Sequence, residues 1–279
     1  AQNGLENIIV EKFYISNQDD STGAANNGDS VLKTGSVTYR IWADLLPGYQ
    51  FQALYGVPEH ALTIQSSTAF FNSENYGGVT APITSATNIR KYAALLDTYF
   101  SGGGVANGKV GVFKTEDTDG SPGNAQNMLQ NNDPAASGAI NLGTTSSLLA
   151  KDGMITGTPA ALNIVGLTNT GNGDLGVFDN LSQVGGLFTT SNGSIAVLGG
   201  AQGPTSANRV LIGQFTTDGS FSFQLNLQIG TPGGGVQNYV ASNPAGNEIQ
   251  ASFLTYPNVA PIVSITSPIN ASSYISCNN

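Results

Sequence analysis

The sequence predicts an all-β domain of the β-sandwich or jelly-roll-like kind, with long Gly/Asn-rich loops and little helix. Two observations lead to this prediction. Short segments of alternating apolar and polar residues recur along the 279 residues, and the 36 glycines, with asparagine and proline, separate most of them. With 39% hydrophobic residues, the chain is also long and apolar enough to bury a sizeable core.

The clearest strand signal is "NRVLIGQFTTDGSFSFQLNLQIG" (208–230). Apolar residues from Phe221 to Ile229 alternate there with polar ones, which predicts one buried and one solvated face. Asp218-Gly219 is a usual pair for a type I′ turn, so this segment is predicted to be a hairpin. A second hairpin is predicted over 37–56, around Pro47-Gly48. Its first strand would place on one face Val37, Tyr39, Ile41, Ala43 and Leu45.

Shorter strands are predicted between turn-forming residues. They cover 6–16, 61–71, 108–114, 161–168, 174–179, 186–191, 194–199 and 249–255. Helix signals are weak: 88–100 fits either a helix or a strand entering a loop, while 124–130 and 144–150 each fit a turn or two. The Gly/Asn/Asp-rich stretch 101–143 predicts a long irregular excursion. We expect a single domain over residues 1–256, followed by a linker or strand over 257–279.

Composition narrows the classes of partner. Only 10% of residues are charged, against roughly 25% in an average soluble protein, and the net charge is −9. Nucleic acid and anionic membranes are therefore poor partners, because phosphate binding needs clustered Lys and Arg. Cys277 is the single cysteine, which excludes an internal disulfide. No apolar run reaches the about 18 residues of a membrane helix, so membrane insertion is not expected.

Two acidic groups are candidate calcium sites, since hard cations bind clustered carboxylate oxygens. In "TEDTDGSPGN" the candidates are Glu116, Asp117 and Asp119, and in "NQDDSTGAANNGDS" they are Asp19, Asp20 and Asp29. Neither group completes the EF-hand loop pattern. Solvated loop charge and a structural Ca²⁺ both remain open, and no other cofactor is expected.

Enzymatic signatures are weak. The single histidine, His60, has no G-x-S-x-G elbow to serve and no second histidine for a metal site. Carboxylates that a glycoside hydrolase could pair are scattered along the chain, at Asp44, Glu59, Glu74 and Asp97. No catalytic residue is predicted.

Trp42, the only tryptophan, lies on the strand face opposite Tyr39 and Ile41. It is either a second core residue or a platform on which a sugar ring stacks.

Several segments resemble a module of large secreted surface proteins of Bacteroidota. They include "GSVTYRIWADLLPGYQFQALYGVPEHAL", "STAFFNSENYGG", "DGMITGTP" and "NRVLIGQFTTDGSFSFQLNLQIG". In those proteins an uncharacterised module stands at or near the mature N-terminus, ahead of Ig-like repeats and a sorting domain for type IX secretion. The resemblance implies an extracellular or cell-surface location, with the signal peptide already removed.

The resemblance also bears on the end of the sequence. The tail "APIVSITSPINASSYISCNN" is similar to the linker and first strand that open an Ig-like repeat, but no complete repeat follows. Asp29-Ser30-Val31 is similar to the Bacteroidota O-glycosylation motif, which implies a glycan on Ser30.

The function expected from these observations is that of a non-enzymatic extracellular structural or adhesive module. A β-branched strand beyond the domain exposes unpaired backbone groups, which the sheet edge of a neighbouring copy or another extracellular protein would satisfy. The candidate assembly residues are Val259, Ile262, Val263 and Ile265, or the segment from Ile8 to Ile15. Such head-to-tail contacts do not close and would give a filament. The alternatives are a carbohydrate-binding module and a glycoside hydrolase.

Overall fold

The computed structural model describes residues 3–118, 151–168, 174–179 and 184–257. It confirms the all-β prediction, with 17 strands and one α-helix among these residues. The strands are β1 (Leu5–Ile15), β2 (Val37–Leu45), β3 (Gln50–Gly56), β4 (Leu62–Ser66), β5 (Tyr99–Phe100), β6 (Gly104–Ala106), β7 (Lys109–Gly111), β8 (Met154–Thr156), β9 (Leu162–Val165), β10 (Leu187–Thr190), β11 (Gly193–Ala201), β12 (Arg209–Thr217), β13 (Phe221–Gln224), β14 (Leu227–Gly230), β15 (Val236–Val240), β16 (Ile249–Gln250) and β17 (Thr255–Tyr256).

These strands form four sheets in the described part of the chain. Their orders are β1-β2-β12-β5, β10-β4-β13-β17, β16-β15-β14-β3-β11-β9 and β6-β7-β8. The second and third sheets continue into each other, because β3 and β4 both pair with the β13–β14 segment and with the β10–β11 segment. The result is one long bent surface that faces the β1-β2-β12-β5 sheet.

The first core fills the space between these two surfaces. The predicted buried face of β2 is confirmed, since Tyr39, Ile41, Ala43 and Leu45 all belong to this core and Val37 packs against it. The alternating residues from Phe221 to Ile229 enter it from the opposite side. At its centre Phe100, Phe178, Phe188 and Phe215 meet with ring centroids 5.3–5.7 Å apart. Such tilted aromatic pairs add to the stability that burial gives.

A second core covers the other face of the β1-β2-β12-β5 sheet. Trp42 lies in it with no exposed surface, packed edge-on against Phe113 at 4.8 Å between ring centroids. Met154 from β8 and Ile89 close this layer. The sheet is therefore buried on both faces, and the sugar-platform role predicted as one alternative for Trp42 is wrong.

Both predicted hairpins are wrong, although their strands and faces exist. β2 pairs with β1 and β12, whereas β3, which follows Pro47-Gly48, pairs with β11 and β14. β12 and β13 likewise belong to different sheets. Gly219 is absent from the positive-φ residues, so Asp218-Gly219 is not a type I′ turn. A Cβ at Gly219 would lie 2.5 Å from Ser66 Oγ, and this close approach explains the glycine.

The α-helix α1 (Gln18–Asn27) was not predicted. The Asn17 side chain caps it by accepting from the Asp20 backbone N–H, and the Asp20 carboxylate accepts from the Asn17 backbone N–H, which completes a capping box. Gly28 ends the helix in the left-handed conformation, at φ 78°.

Other predicted elements differ in detail. Segment 88–100 forms two 3-10 turns, Asn88–Arg90 and Ala94–Leu96, before β5. Segment 174–179 holds a 3-10 turn, Gly176–Phe178, instead of a strand, and Ser252–Leu254 forms another such turn. The expected irregular excursion begins instead with β6 and β7. Segments 124–130 and 144–150 lie outside the described residues.

Candidate functional site

The edge strand β9 is the clearest candidate for an interaction site. It pairs with β11, from Leu162 opposite Val197 to Val165 opposite Ser194, and has no second strand partner in the described part of the chain. Val165 is 57% exposed, and Leu198, at the adjoining irregularity of β11, is 80% exposed. An exposed edge with apolar side chains is a ready place for another strand to pair.

A groove of about 450 Å³ lies beside this edge. Its lining carries no charged residue and consists of Gly102, Gly103, Val110, Ile155, Thr156, Gly157, Thr158, Ala160, Gly200, Ala201, Gln202 and Pro204. Gly102 connects the groove to the edge, since a Cβ there would lie 2.4 Å from Val197 Cγ2 and 3.3 Å from Leu162 Cδ2. Gly200, at φ 77°, forms the irregularity of β11. Three of the four lining glycines, Gly102, Gly157 and Gly200, allow close packing within the chain, since a Cβ on each would lie 2.4–2.7 Å from a neighbouring side chain.

The predicted acidic group on the N-terminal segment does not converge on one point. The Asp20 carboxylate is used in the helix cap and also accepts from the Tyr14 hydroxyl at 2.9 Å, while burial raises its pKa to about 6. Asp19 is exposed on the first turn of α1. Asp29 accepts from the Glu74 backbone N–H and the Asn27 amide, each at 2.7 Å, and burial raises its pKa.

The second predicted group is also occupied by internal bonds. Glu116 accepts from Arg209 Nη1 at 3.3 Å, and Asp117 accepts from the Gly153 backbone N–H at 3.0 Å. Asp119 lies outside the described residues. Among residues with a described position, no group of three or more His, Cys, Asp or Glu is close enough to hold a metal ion.

The sequence patterns did not predict the charged side chains that are buried around Trp42. The Trp42 indole N–H donates to Glu11 at 3.1 Å, and burial raises the pKa of Glu11 against the opposing charges of Arg40 and Lys114. Burial lowers the pKa of Lys114 to about 8. Arg40 donates to the Gly153 carbonyl at 2.9 Å and lies 3.5 Å from the centroid of the Phe13 ring. These bonds fix the second layer onto the central sheet.

Several residues considered for catalysis have contacts within the fold. His60 Nε2 lies 3.0 Å from Glu248 Oε2, within hydrogen-bond distance, and the His60 side chain is 6% exposed. Asp44 pairs with Arg209 at 3.4 Å, and Asp97 accepts from two backbone N–H groups. Each of these polar side chains has a structural partner.

The predicted glycan site at Ser30 is wrong for the folded protein. Ser30 is 7% exposed, and its hydroxyl accepts from the Asn72 backbone N–H at 2.7 Å. The alternative donor segment Ile8 to Ile15 is wrong as well, since it forms β1 and pairs with β2 along its length. The tail residues Val259, Ile262, Val263 and Ile265 lie outside the described residues.

Comparison with protein-family models, curated proteins and solved structures finds no match for this chain. None of the helices in the described ranges has the length and apolarity to cross a membrane.

Proposed function

We propose that this protein is a non-enzymatic extracellular structural or adhesive module that binds a partner by adding a strand to β9. The carrying observation is the edge strand itself, whose outer side has no strand partner among the described residues. It carries the exposed Val165, next to the exposed Leu198 of β11 and an uncharged groove. In strand addition the backbone hydrogen bonds supply affinity and the adjoining pockets select alternate side chains. The extracellular location rests on the resemblance to Bacteroidota secreted proteins.

The tail of a second copy is the proposed donor strand. Residues 258–265, "NVAPIVSI", carry no charge and place β-branched residues at Val259, Ile262, Val263 and Ile265. The groove has no charged lining, so it suits an uncharged segment. Because two copies with a net charge of −9 each repel one another, an uncharged contact between them is also favoured.

The direction of β17 favours a second copy over the same chain. Thr255 lies opposite Gln224 and Tyr256 opposite Phe223, so the chain leaves toward Phe221. The groove lies at the opposite end of the long bent surface that the second and third sheets form, where Ala201 of β11 pairs with Phe51 of β3. A tail that leaves one copy and enters the β9 edge of the next gives a head-to-tail contact, which does not close and yields a filament.

Three variants of the full chain test this proposal by sedimentation velocity and negative-stain electron microscopy. Val165→Lys places a charge on the exposed edge, a natural means of blocking strand addition, and deletion of 258–279 removes the donor. The matched control is Val236→Lys, because Val236 is a valine of similar exposure, 54% against 57%, on β15. We expect the wild type and Val236→Lys to assemble and the other two to remain monomeric.

Two results would refute the proposal. One is a wild type that stays monomeric at every concentration, and the other is Val165→Lys assembling like the wild type. If Val165→Lys is monomeric but the deletion still assembles, the edge is the site and the tail is not the donor.

Carbohydrate binding is the second candidate function. It no longer rests on Trp42, but a different aromatic pair on the surface favours it.

A further inference from the structure

Two tyrosines form an aromatic pair at the surface near the 3-10 turns. The ring centroids of Tyr76 and Tyr92 lie 6.3 Å apart, and the ring planes are within 16° of parallel. Tyr92 is 38% exposed, one of few large apolar side chains so exposed among the described residues. Lys91 Nζ lies 5.3 Å from the centroid of the Tyr76 ring. The pair therefore presents aromatic surface beside a cation.

The backbone holds Tyr92 in an unfavourable conformation. Its φ is 51°, in the left-handed region that bulky residues rarely adopt. The neighbours that impose this conformation are buried: Ile89, Ala93, Leu95 and Leu96 are at most 3% exposed. Backbone strain of this kind concentrates at functional sites, because elsewhere a less strained residue serves equally well. Asn or Gly would fit the conformation better, so the tyrosine ring needs an explanation beyond folding.

One buried acid, Asp97, holds the loop that carries Tyr76 through hydrogen bonds to its backbone. Asp97 accepts from the Ser73 backbone N–H at 2.7 Å and from the Gly78 backbone N–H at 2.8 Å. Asp97 also directly follows the turn that anchors Tyr92. Both rings are thus held by the same rigid support, and a preorganised site loses little entropy when a ligand binds.

Polar groups around the rings remain available for a ligand. Neither tyrosine hydroxyl has a hydrogen-bond partner within the described residues, and Lys91 has no carboxylate partner there. Asn75, the exposed residue next to Tyr76 in the sequence, is engaged elsewhere, because its amide donates to the Asn27 carbonyl at 3.1 Å. Aromatic faces with nearby hydroxyl and ammonium groups match the apolar face and peripheral hydroxyls of a pyranose ring. The net charge of −9 disfavours an anionic ligand.

We propose that Tyr76 and Tyr92, with Lys91, form a binding site for a neutral glycan, in which a pyranose ring stacks on Tyr92. The site is independent of the β9 edge and of assembly.

Affinity electrophoresis of the full chain tests this site, in native gels that contain laminarin, galactomannan, xyloglucan or arabinoxylan. We expect at least one of these neutral polysaccharides to retard the wild type. Tyr92→Ala and Tyr92→Asn both remove the ring and should weaken binding by about tenfold or more, equivalent to about 1.4 kcal/mol. The control, Val236→Ala, removes an exposed apolar side chain on β15 that belongs to neither proposed site, and it should bind like the wild type.

The two Tyr92 variants also separate binding from folding. Asn tolerates the left-handed conformation and Ala does not, so Tyr92→Asn should melt at a higher temperature than Tyr92→Ala while both lose binding equally. The proposal would be overturned if none of the four polysaccharides retards either the wild type or Val236→Ala. Wild-type affinity in both Tyr92 variants would overturn it too. Neither result bears on strand addition at β9, since that proposal is tested by assembly.

Discussion

Replacing Asp97 by asparagine tests whether burial or hydrogen bonding determines the pKa of the Asp97 carboxyl group. Asp97 is 1% exposed, and burial raises its pKa from 3.8 to about 8 although three backbone N–H groups, those of Ser73, Gly78 and Thr98, oppose the shift. Because the folded protein binds the proton more tightly than the unfolded chain, the stability from this group is fully present below about pH 4. That stability is then lost as pH rises through about 8.

The magnitude follows from the size of the pKa shift. One pKa unit corresponds to about 1.4 kcal/mol, so the wild type should lose on the order of 5 kcal/mol relative to the asparagine variant between about pH 4 and pH 8. The variant starts with a deficit, because its amide has one acceptor oxygen for the two backbone N–H groups of Ser73 and Gly78. An unsatisfied buried donor costs about 1–3 kcal/mol. The two stability curves should therefore cross at about pH 5 to 6.

Urea unfolding of both proteins, followed by circular dichroism at one-unit steps from pH 4 to pH 9, measures this difference. Subtracting the two curves removes the contributions of other shifted acids, such as Asp20. A difference that stays constant over this range, or a wild type that gains on the variant as pH rises, would show that the backbone N–H groups outweigh desolvation. The raised pKa of Asp97 would then be wrong.

Two further substitutions probe the second layer and the connection between the sheets. Trp42→Phe removes the indole N–H from Glu11, whose Oε1 has no hydrogen-bond partner among the described residues, and leaves a small cavity. Calorimetry should show a loss of about 3 kcal/mol in the free energy of unfolding, with polysaccharide binding unchanged. Gly219→Ala places a Cβ 2.5 Å from Ser66 Oγ and 2.7 Å from the Thr68 backbone nitrogen, so denaturant titration should show a loss of about 1–3 kcal/mol. A neutral effect in either case contradicts the packing described here.

Sequence patterns predicted which residues are buried better than which strands pair. Alternation fixes the face on which Tyr39 or Phe223 points, because side chains on a strand have a period of two. It contains no information about the neighbouring strand. A short turn such as Pro47-Gly48 serves equally well to reverse a hairpin or to carry the chain into the facing sheet, and here the chain crosses at both predicted hairpins.

One missed element had a readable signal, whereas the candidate sites did not. Asn17 and Asp20 stand at the spacing of a capping box, so α1 was accessible from the sequence. The alternation along β2 also predicted its two faces correctly. No pattern in the sequence, however, predicts that a second layer covers the face that carries Trp42. The strained φ of Tyr92 depends on the burial of its neighbours, and the β9 edge depends on the order of strands in a sheet. Both properties arise only in the assembled fold.

The distribution of charge explains why recognition by this protein is expected to rely on shape and stacking. Several of its few charged groups are buried as structural partners, including Glu11, Arg40, Lys114 and Asp97. The remaining surface offers hydroxyls, amides, backbone edges and exposed rings. A strand added at β9 would be held by backbone hydrogen bonds, and a sugar at Tyr92 by ring stacking, neither of which depends on ionic attraction. Both interactions should therefore persist at salt concentrations that screen surface charges.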